Sequence, residues 1–267
     1  MSIEHAELGH LSISRLLIGG NPFSGFSHQT AERSAEMRVY YTQERIHATL
    51  RQAESLGINT FLGRADAHII EVLKRYWEQG GSIQWIAQTA SEAPTQMIAA
   101  QTAIEAGCKG CYIHGGVMEY LLAQGRERDI FETIGIIKSA GLPAGVAGHL
   151  TRIFDWAEEH IDLDFYMCSY YNPTPRDKQP GHDPTAQEQF LEQDRQAMLM
   201  RIKTLTRPAI HYKVMAAGRN DPQSALFLTA RHLRPGDCVC VGFYTHDNPN
   251  MLAQDLAWLQ QGLENAR

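Results

Sequence analysis

Eight times along this chain a short apolar run is followed by a stretch with helical spacing, and that alternation leaves few folds open. The runs are Ser14–Ile18, Asn59–Leu62, Ile83–Gln88, Gly110–His114, Ala144–Ala147, Asp164–Ser169, Ile210–Met215 and Val239–Phe243. Their length and their richness in Ile, Val and aromatic residues predict buried strands. Between them lie amphipathic stretches. Gln43–Leu56, for example, sets Ile46, Leu50, Ala53 and Leu56 on one helical face. Gly57, Gly107 and Gly141 each close a helical pattern just before a strand, the place of a helix-ending glycine. Asp221-Pro222 and Asn248-Pro249 have the form of an N-cap followed by proline at the first helical position.

Strands alternating with helices pair in parallel through right-handed crossovers. An open doubly wound sheet usually carries GxGxxG after its first strand, and Gly19-Gly20-Asn21-Pro22 is not that motif. The predicted fold is an α/β, closed (β/α)8 barrel formed by one domain over residues 1–267. The length suits it, since such barrels need ~250 residues, and no Pro/Gly/Ser-rich linker divides the chain.

Composition then removes several function classes. The net charge is −6 and the Lys and Arg are dispersed, which argues against nucleic acid as partner. No apolar run reaches the ~18 residues of a membrane span, so no membrane partner is expected. Met1-Ser2-Ile3-Glu4-His5 lacks the basic start and apolar run of a signal peptide. Together with five cysteines, an odd number, this predicts a cytoplasmic protein with reduced thiols. Cys108 and Cys111 form a CxxC, but no second pair has zinc-ribbon spacing, and Cys238 and Cys240 fall in a strand pattern. Core packing is the expected role of these four. The expected partner is a small-molecule substrate, and the oligomeric state is left open, a homo-oligomer included.

Three strand-to-helix connections are long: Gly19–Tyr41, Gly115–Asp129 with a short extra helix, and Asn172–Pro184 with Arg176, Asp177 and Lys178. Helix-to-strand turns such as Gly141-Leu142-Pro143 are short. Loops concentrated on one face mark the functional face of a barrel. Because barrel strands are buried on both sides, a polar residue in or after one must be paired or reach the mouth. That test selects Arg64, Asp66 and His68 after strand two, Gln88 and Thr89 after strand three, His114 after strand four and His149 after strand five. It also selects Cys168, Tyr170, Tyr171 and Asn172 after strand six, His211 and Lys213 in strand seven, and Tyr244 and Thr245 after strand eight.

Lys213 stands out because it is predicted mid-strand, in His211-Tyr212-Lys213-Val214-Met215. A lysine there either pairs with a carboxylate or has a depressed pKa suited to Schiff-base or acid–base chemistry. His68, His114 and His149, with Asp66, offer imidazole and carboxylate donors for a divalent metal. The HxH of metal-dependent hydrolases is missing, and no GxSxG elbow supports a serine nucleophile. Ala217-Gly218-Arg219-Asn220 and Gly242-Phe243-Tyr244-Thr245 each lead into a helix, where backbone N–H groups favour a phosphate or carboxylate.

The order of segments resembles the aldo/keto reductase superfamily. Ser14-Arg15-Leu16-Leu17-Ile18-Gly19-Gly20-Asn21-Pro22-Phe23 looks like its first strand and loop, and Leu50 to Phe61, LRQAESLGINTF, like its first helix and second strand. Tyr112-Ile113-His114 matches the segment whose histidine belongs to the catalytic tetrad, and Tyr171-Asn172-Pro173 resembles the end of strand six. The resemblance implies the barrel, and His114 carries over. The rest of the tetrad does not. Leu62 stands for the aspartate, Ala67 or His68 for the tyrosine, and Gln88 or Thr89 for the lysine. Cys168 replaces the glutamine that binds the nicotinamide amide, and the last strand and turn lack an arginine set for the 2′-phosphate of NADPH. NADP is therefore not expected as cofactor.

The residues lead to an enzyme acting on a small carbonyl or sugar-type metabolite by proton transfer or C–C/C–O cleavage: a lyase, aldolase or isomerase. His114, Lys213, His149 and Asp66 are the expected catalytic groups. Asn21, Arg64, Gln88, Tyr170, Asn172, Arg219 and Tyr244 are expected to hold the substrate. Two alternatives stay open: a divergent NADP-dependent oxidoreductase in which His68 or Tyr170 replaces the tetrad tyrosine, and a non-catalytic barrel that binds a metabolite.

Overall fold

The computed structural model describes residues 3–181 and 188–266. Met1 and Ser2, and Pro184 of the expected loop after strand six, lie outside the described residues. In chain order the elements are β1 (His5–Leu8), β2 (Leu11–Ser14), β3 (Leu16–Gly19), α1 (Ala31–Tyr40), α2 (Gln43–Ser55), β4 (Thr60–Arg64), α3 (Ala67–Glu78), β5 (Gln84–Gln88), α4 (Gln96–Glu105) and β6 (Gly110–Ile113). There follow α5 (Gly115–Ala123), α6 (Glu127–Ser139), β7 (Ala144–Gly148), α7 (Thr151–His160), β8 (Phe165–Ser169), α8 (Glu192–Ile202), β9 (Ala209–Tyr212), α9 (Pro222–His232), β10 (Cys238–Gly242) and α10 (Met251–Asn265).

Strands β3 to β10 close a parallel barrel in chain order, with β10 pairing back on β3 through Cys240 opposite Leu17. The α/β (β/α)8 architecture is thus the predicted one. Inward residues form one apolar cluster, including Leu17, Leu62, Ile86, Tyr112, Phe165, Met167, Ile210 and Cys240. Outward residues such as Ile18, Phe61, Trp85, Ile113, Val146 and Val239 form a second cluster with the helices. Gly145 lets the Phe165 ring lie flat across the interior, since a Cβ there would come within 2.6 Å of it. The thiols of Cys108, Cys111, Cys168, Cys238 and Cys240 are all free and buried, as core packing requires. Among the described residues no helix is long and apolar enough to cross a membrane.

Three expectations are corrected. The first strand, expected over Ser14–Ile18, is two elements: β2 ends at Ser14 and β3 begins at Leu16. β2 pairs antiparallel with β1 around Gly9, whose φ of 59° suits the first position of a two-residue hairpin turn. Ala6, Leu8, Leu11 and Ile13 on one face of this hairpin join the inward cluster and plug the barrel floor. Asn59 ties it down, accepting from Ser14 N at 2.8 Å and donating to Ser12 O at 3.0 Å.

The seventh strand, expected over Ile210–Met215, stops at Tyr212. Lys213 has φ 57°, a left-handed conformation in which a strand cannot continue. The last correction is a cap. Asp221 caps α9 as expected, accepting from Ser224 N, but α10 starts at Met251 after Asn250, and Asn248 instead accepts from Asn250 N.

Candidate active site

The C-terminal ends of the strands open into a cavity of about 490 Å³. Its floor is the top of the barrel interior: Leu62, Tyr112, Ala147, Met167, Tyr212 and Cys240. His114, His149 and Lys213, predicted from separate strands, all line it, as do Asn21, Arg64, Gln88 and Tyr244.

Two glycines make room for the two histidines. His114 directly follows β6 and precedes Gly115 and Gly116, which begin α5. A Cβ on Gly115 would stand 3.1 Å from the His149 ring, and one on Gly116 would lie 2.4 Å from Pro180 O and 3.1 Å from the His114 ring. Burial, then the charges of His149, Arg176, Arg64 and Lys213, push His114 well below the ordinary imidazole range, so it is neutral at pH 7. Its Nδ1 is buried without a hydrogen-bond partner among the described residues.

His149, at the end of β7, is held by Glu119 of α5. Oε1 of Glu119 accepts from the His149 backbone N–H at 2.7 Å and lies 3.0 Å from Nδ1. Both side chains are almost wholly inaccessible, 5% and 2% exposed. Burial raises the Glu119 pKa, but the His149 charge and the two hydrogen bonds outweigh it and leave the carboxyl below its usual range. Nδ1 of His149 donates to the ionised Glu119, so whenever the ring is neutral Nε2 is the nitrogen left to accept. Nε2 lies 3.4 Å from the Tyr212 hydroxyl, which lines the cavity. Burial, and then the Glu119 charge, raise the Tyr212 pKa, so the phenol keeps its proton.

Lys213 reaches the mouth by a backbone device. In a regular strand it would face the helices, because Tyr212 before it faces inward. The left-handed φ, costing roughly 1–2 kcal/mol for a side chain, turns it over the cavity instead. Ala216 and Ala217 follow with φ 48° and 54°. Non-glycine residues held this way accumulate at functional sites. Lys213 makes no hydrogen bond or ion pair among the described residues. Burial brings its pKa down to about 8, with Glu188 opposing and Arg176 assisting.

The other predicted residues do not reach the cavity. Asp66 caps α3, accepting from Ile69 N at 2.9 Å, and pairs with Arg64 at 3.3 Å. Its carboxylate is therefore committed to the helix end. His68 sits on α3 against Phe23 O at 3.2 Å. Among the described residues no group of three or more His, Cys, Asp or Glu is placed to hold a metal ion, so the expected set of His68, His114 and His149 is not assembled. Tyr170 turns outward and is 1% exposed, its hydroxyl 2.9 Å from His211 Nδ1. His211 in turn lies 3.5 Å from Asp237 in the layer between strands and helices. Asn172 is fixed through its backbone N–H to Asp194 at 3.2 Å. Arg219 stacks on Phe190 at 4.3 Å and donates to His28 O and Ala216 O, tying loops together. Arg64 lines the cavity with its charge engaged by Asp66 and Glu92.

Glu119, Tyr212, Tyr112 and Arg176 were not among the predicted site residues. Tyr112 donates to Gln88 Oε1 at 3.0 Å on the cavity floor. Arg176 comes from the loop after β8, is 6% exposed, and lines the cavity. Its loop and charge were visible in the sequence, its inward course was not.

The residues present do not fit NADPH. Leu62 stands in the cavity where the reductase resemblance asks for an aspartate. Cys168 packs in the outer core, away from the cavity. The groove beside β10 and α10 is lined by Asn248, Met251, Gln254, Asp255 and Trp258, with Asp247 and Arg33. Arg33 is engaged by Glu36 and Asp247 and stacks on Tyr244 at 4.5 Å. A 2′-phosphate would meet carboxylates there.

No protein-family model matches the chain, and no curated protein matches it. Solved structures do. A Pseudomonas aeruginosa protein, PA4992, provisionally assigned as an aldo-keto reductase, superposes with TM-score 0.65 at 18% identity, covering 97% of this chain and 96% of its own. The 3-hexulose-6-phosphate synthase of Salmonella typhimurium gives TM-score 0.56 at 14% identity over 95% and 100% of the two chains. A truncated 3-deoxy-D-arabino-heptulosonate 7-phosphate synthase of Thermotoga maritima gives 0.57 at 11% over 99% and 92%. At these identities the likeness shows the fold alone, a (β/α)8 barrel.

Proposed function

We propose that this protein is an enzyme that moves a proton next to the carbonyl of a small polar, sugar-type metabolite, as a lyase, aldolase or isomerase does. The observation that carries this is the Glu119–His149 pair, whose Nε2 lies 3.4 Å from the cavity-lining Tyr212 hydroxyl. An imidazole held by a buried carboxylate is a general base that keeps its tautomer and is stabilised once it has taken a proton. His149 Nε2 takes the proton from the carbon beside the carbonyl. The Tyr212 phenol, which keeps its proton and lies beside His149 Nε2, supplies the proton that the carbonyl oxygen needs as negative charge develops there. Neutral His114 and Gln88 add hydrogen bonds that orient the ligand, and Asn21, Arg64 and Tyr244 line the entrance. With the five thiols reduced and buried, we place the protein in the cytoplasm.

The test is exchange of substrate carbon-bound protons in D2O, followed by NMR over a panel of aldoses, ketoses and 2-oxo acids. Exchange with at least one compound, lost in Glu119→Gln and His149→Gln, supports the reading. Binding of panel compounds without any exchange replaces it with a non-catalytic metabolite-binding barrel.

A further inference from the structure

Arg176, Lys213 and His114 come from three different segments: the loop after β8, the residue directly after β9, and the residue directly after β6. All three line the same cavity. Arg176 is more than nine-tenths buried; its Nη1 donates to Gly181 O at 2.5 Å, while its Nε is buried with no hydrogen-bond partner among the described residues. His114 Nδ1 is likewise buried without one. Lys213 has no ion pair or hydrogen bond among the described residues. The carboxylates whose charge reaches Lys213 are each engaged by a histidine: Glu119 by His149 at 3.0 Å, and Glu188 by His28 at 2.8 Å. Arg64, which also lines the cavity, is paired with Asp66 and Glu92.

Arg176 and Lys213 thus bring positive charge to one cavity, and among the described residues no carboxylate forms an ion pair with either of them. Two buried like charges are costly unless an opposite charge joins them. The N-terminus of α5, whose first residue Gly115 lines the same cavity, adds the positive end of a helix dipole. A planar guanidinium with a free Nε, an ammonium and a neutral imidazole together offer the fork and point donors that recognise an oxyanion.

We propose that Arg176, Lys213 and His114 form an oxyanion subsite, and that the substrate carries a phosphate or carboxylate group in addition to its carbonyl. This rests on reading the cavity as the substrate site. The subsite holds the anionic end of the substrate while the Glu119–His149 pair works on the carbon beside the carbonyl. A neutral sugar of the same size leaves Arg176 and Lys213 unpaired and binds more weakly.

The probes are inorganic phosphate and malonate, titrated calorimetrically into the full chain at pH 7 and low salt. At least one should bind with a Kd of millimolar or tighter, about −4 kcal/mol. Arg176→Met and Lys213→Met should each weaken it at least tenfold, and the pair should abolish it. If Arg176→Met does not fold, Arg176→Lys keeps the charge but loses the fork, and a drop in affinity of severalfold is expected. Tighter binding of phosphate than of malonate marks a phosphate ester as the substrate group, and the reverse marks a carboxylic acid. No binding of either anion overturns the subsite, and so does binding that is unchanged in Lys213→Met and both Arg176 variants. Proton exchange confined to neutral compounds, with no anion binding, removes the subsite and leaves the proposed reaction standing. Anion binding that depends on Arg176, with no exchange in any compound, keeps the subsite and removes the reaction.

Discussion

One oxygen of Glu119 takes both the backbone N–H and the Nδ1 of His149, at 2.7 and 3.0 Å. The carboxylate therefore fixes the position of the ring and its tautomer together. Replacing it by an isosteric amide keeps the shape and removes the charge. Glu119→Gln should fold, with a melting temperature within several degrees of the parent, and lose about 10²- to 10⁴-fold in proton-exchange rate. An unchanged rate in a folded variant shows that Glu119 does not act through His149.

The same pair sets an acid limit to stability. The Glu119 pKa is lowered in the folded state, so its contribution is present above the ordinary carboxylate pKa of ~4.3. It is lost as pH falls through the lower folded value. Chemical denaturation of the parent and of Glu119→Gln between pH 3 and 6 should show the parent losing more stability over that range. Parallel curves would contradict it.

Lys213 is expected to matter for function and little for folding, because it has no partner to strand among the described residues. Lys213→Met should unfold within ~1 kcal/mol of the parent and lose ligand binding or turnover. Lys213→Gly should be at least as stable as Lys213→Met, since glycine takes φ 57° without penalty. With its pKa near 8, Lys213 should react with trinitrobenzenesulfonate on a pH profile with its midpoint about there, well before surface lysines. Borohydride reduction with a carbonyl ligand labels the parent alone if a Schiff base forms. Severe destabilisation of Lys213→Met would assign the residue to structure.

Asp255 on α10 is 5% exposed and borders the cavity, and burial raises its pKa to about 7. A carboxyl raised in the folded state favours folding below its unfolded pKa of ~3.9, and that advantage disappears as pH rises to about 7. The full shift corresponds to at most ~4 kcal/mol. Asp255→Asn should be more stable than the parent at pH 8 and show a flatter stability curve between pH 4 and 7. A less stable variant at pH 8 means that the carboxylate has a partner when ionised.

NADPH should bind weakly. Titration followed by its fluorescence should give no saturation in the micromolar range. A Kd there, about −8 kcal/mol, restores the oxidoreductase alternative and requires a phosphate contact that the engaged Arg33 does not offer.

The barrel was legible in the sequence because each strand and helix declares itself locally. Four to six apolar residues, then a helical face, then Gly57, Gly107 or Gly141 at φ 82°, 91° and 73° to end it: these are short-range preferences, and repetition makes them cooperative. His114 and His149 were legible for a related reason. A polar residue at the end of a buried strand must go somewhere, and in a closed parallel barrel the strand ends converge on one mouth. The β1–β2 hairpin was also within reach, since Ala6, Leu8, Leu11 and Ile13 alternate around Gly9, but the turn merges with the first barrel strand at Ser14-Arg15.

What tertiary structure alone decided is which polar groups meet. Asp66 and Tyr170 have the residue types of a site, yet one caps a helix and the other faces His211, because strand alternation and cap geometry point them there. Glu119 lies five residues along a helix with no unusual spacing, and only the packing of α5 on β7 brings it to His149. Lys213 looked like a strand residue because its neighbours are apolar. A single left-handed φ, which no local pattern announces, places its ammonium over the cavity beside Arg176. Contacts between segments far apart in sequence depend on the closed geometry of the whole barrel, and those contacts make the site.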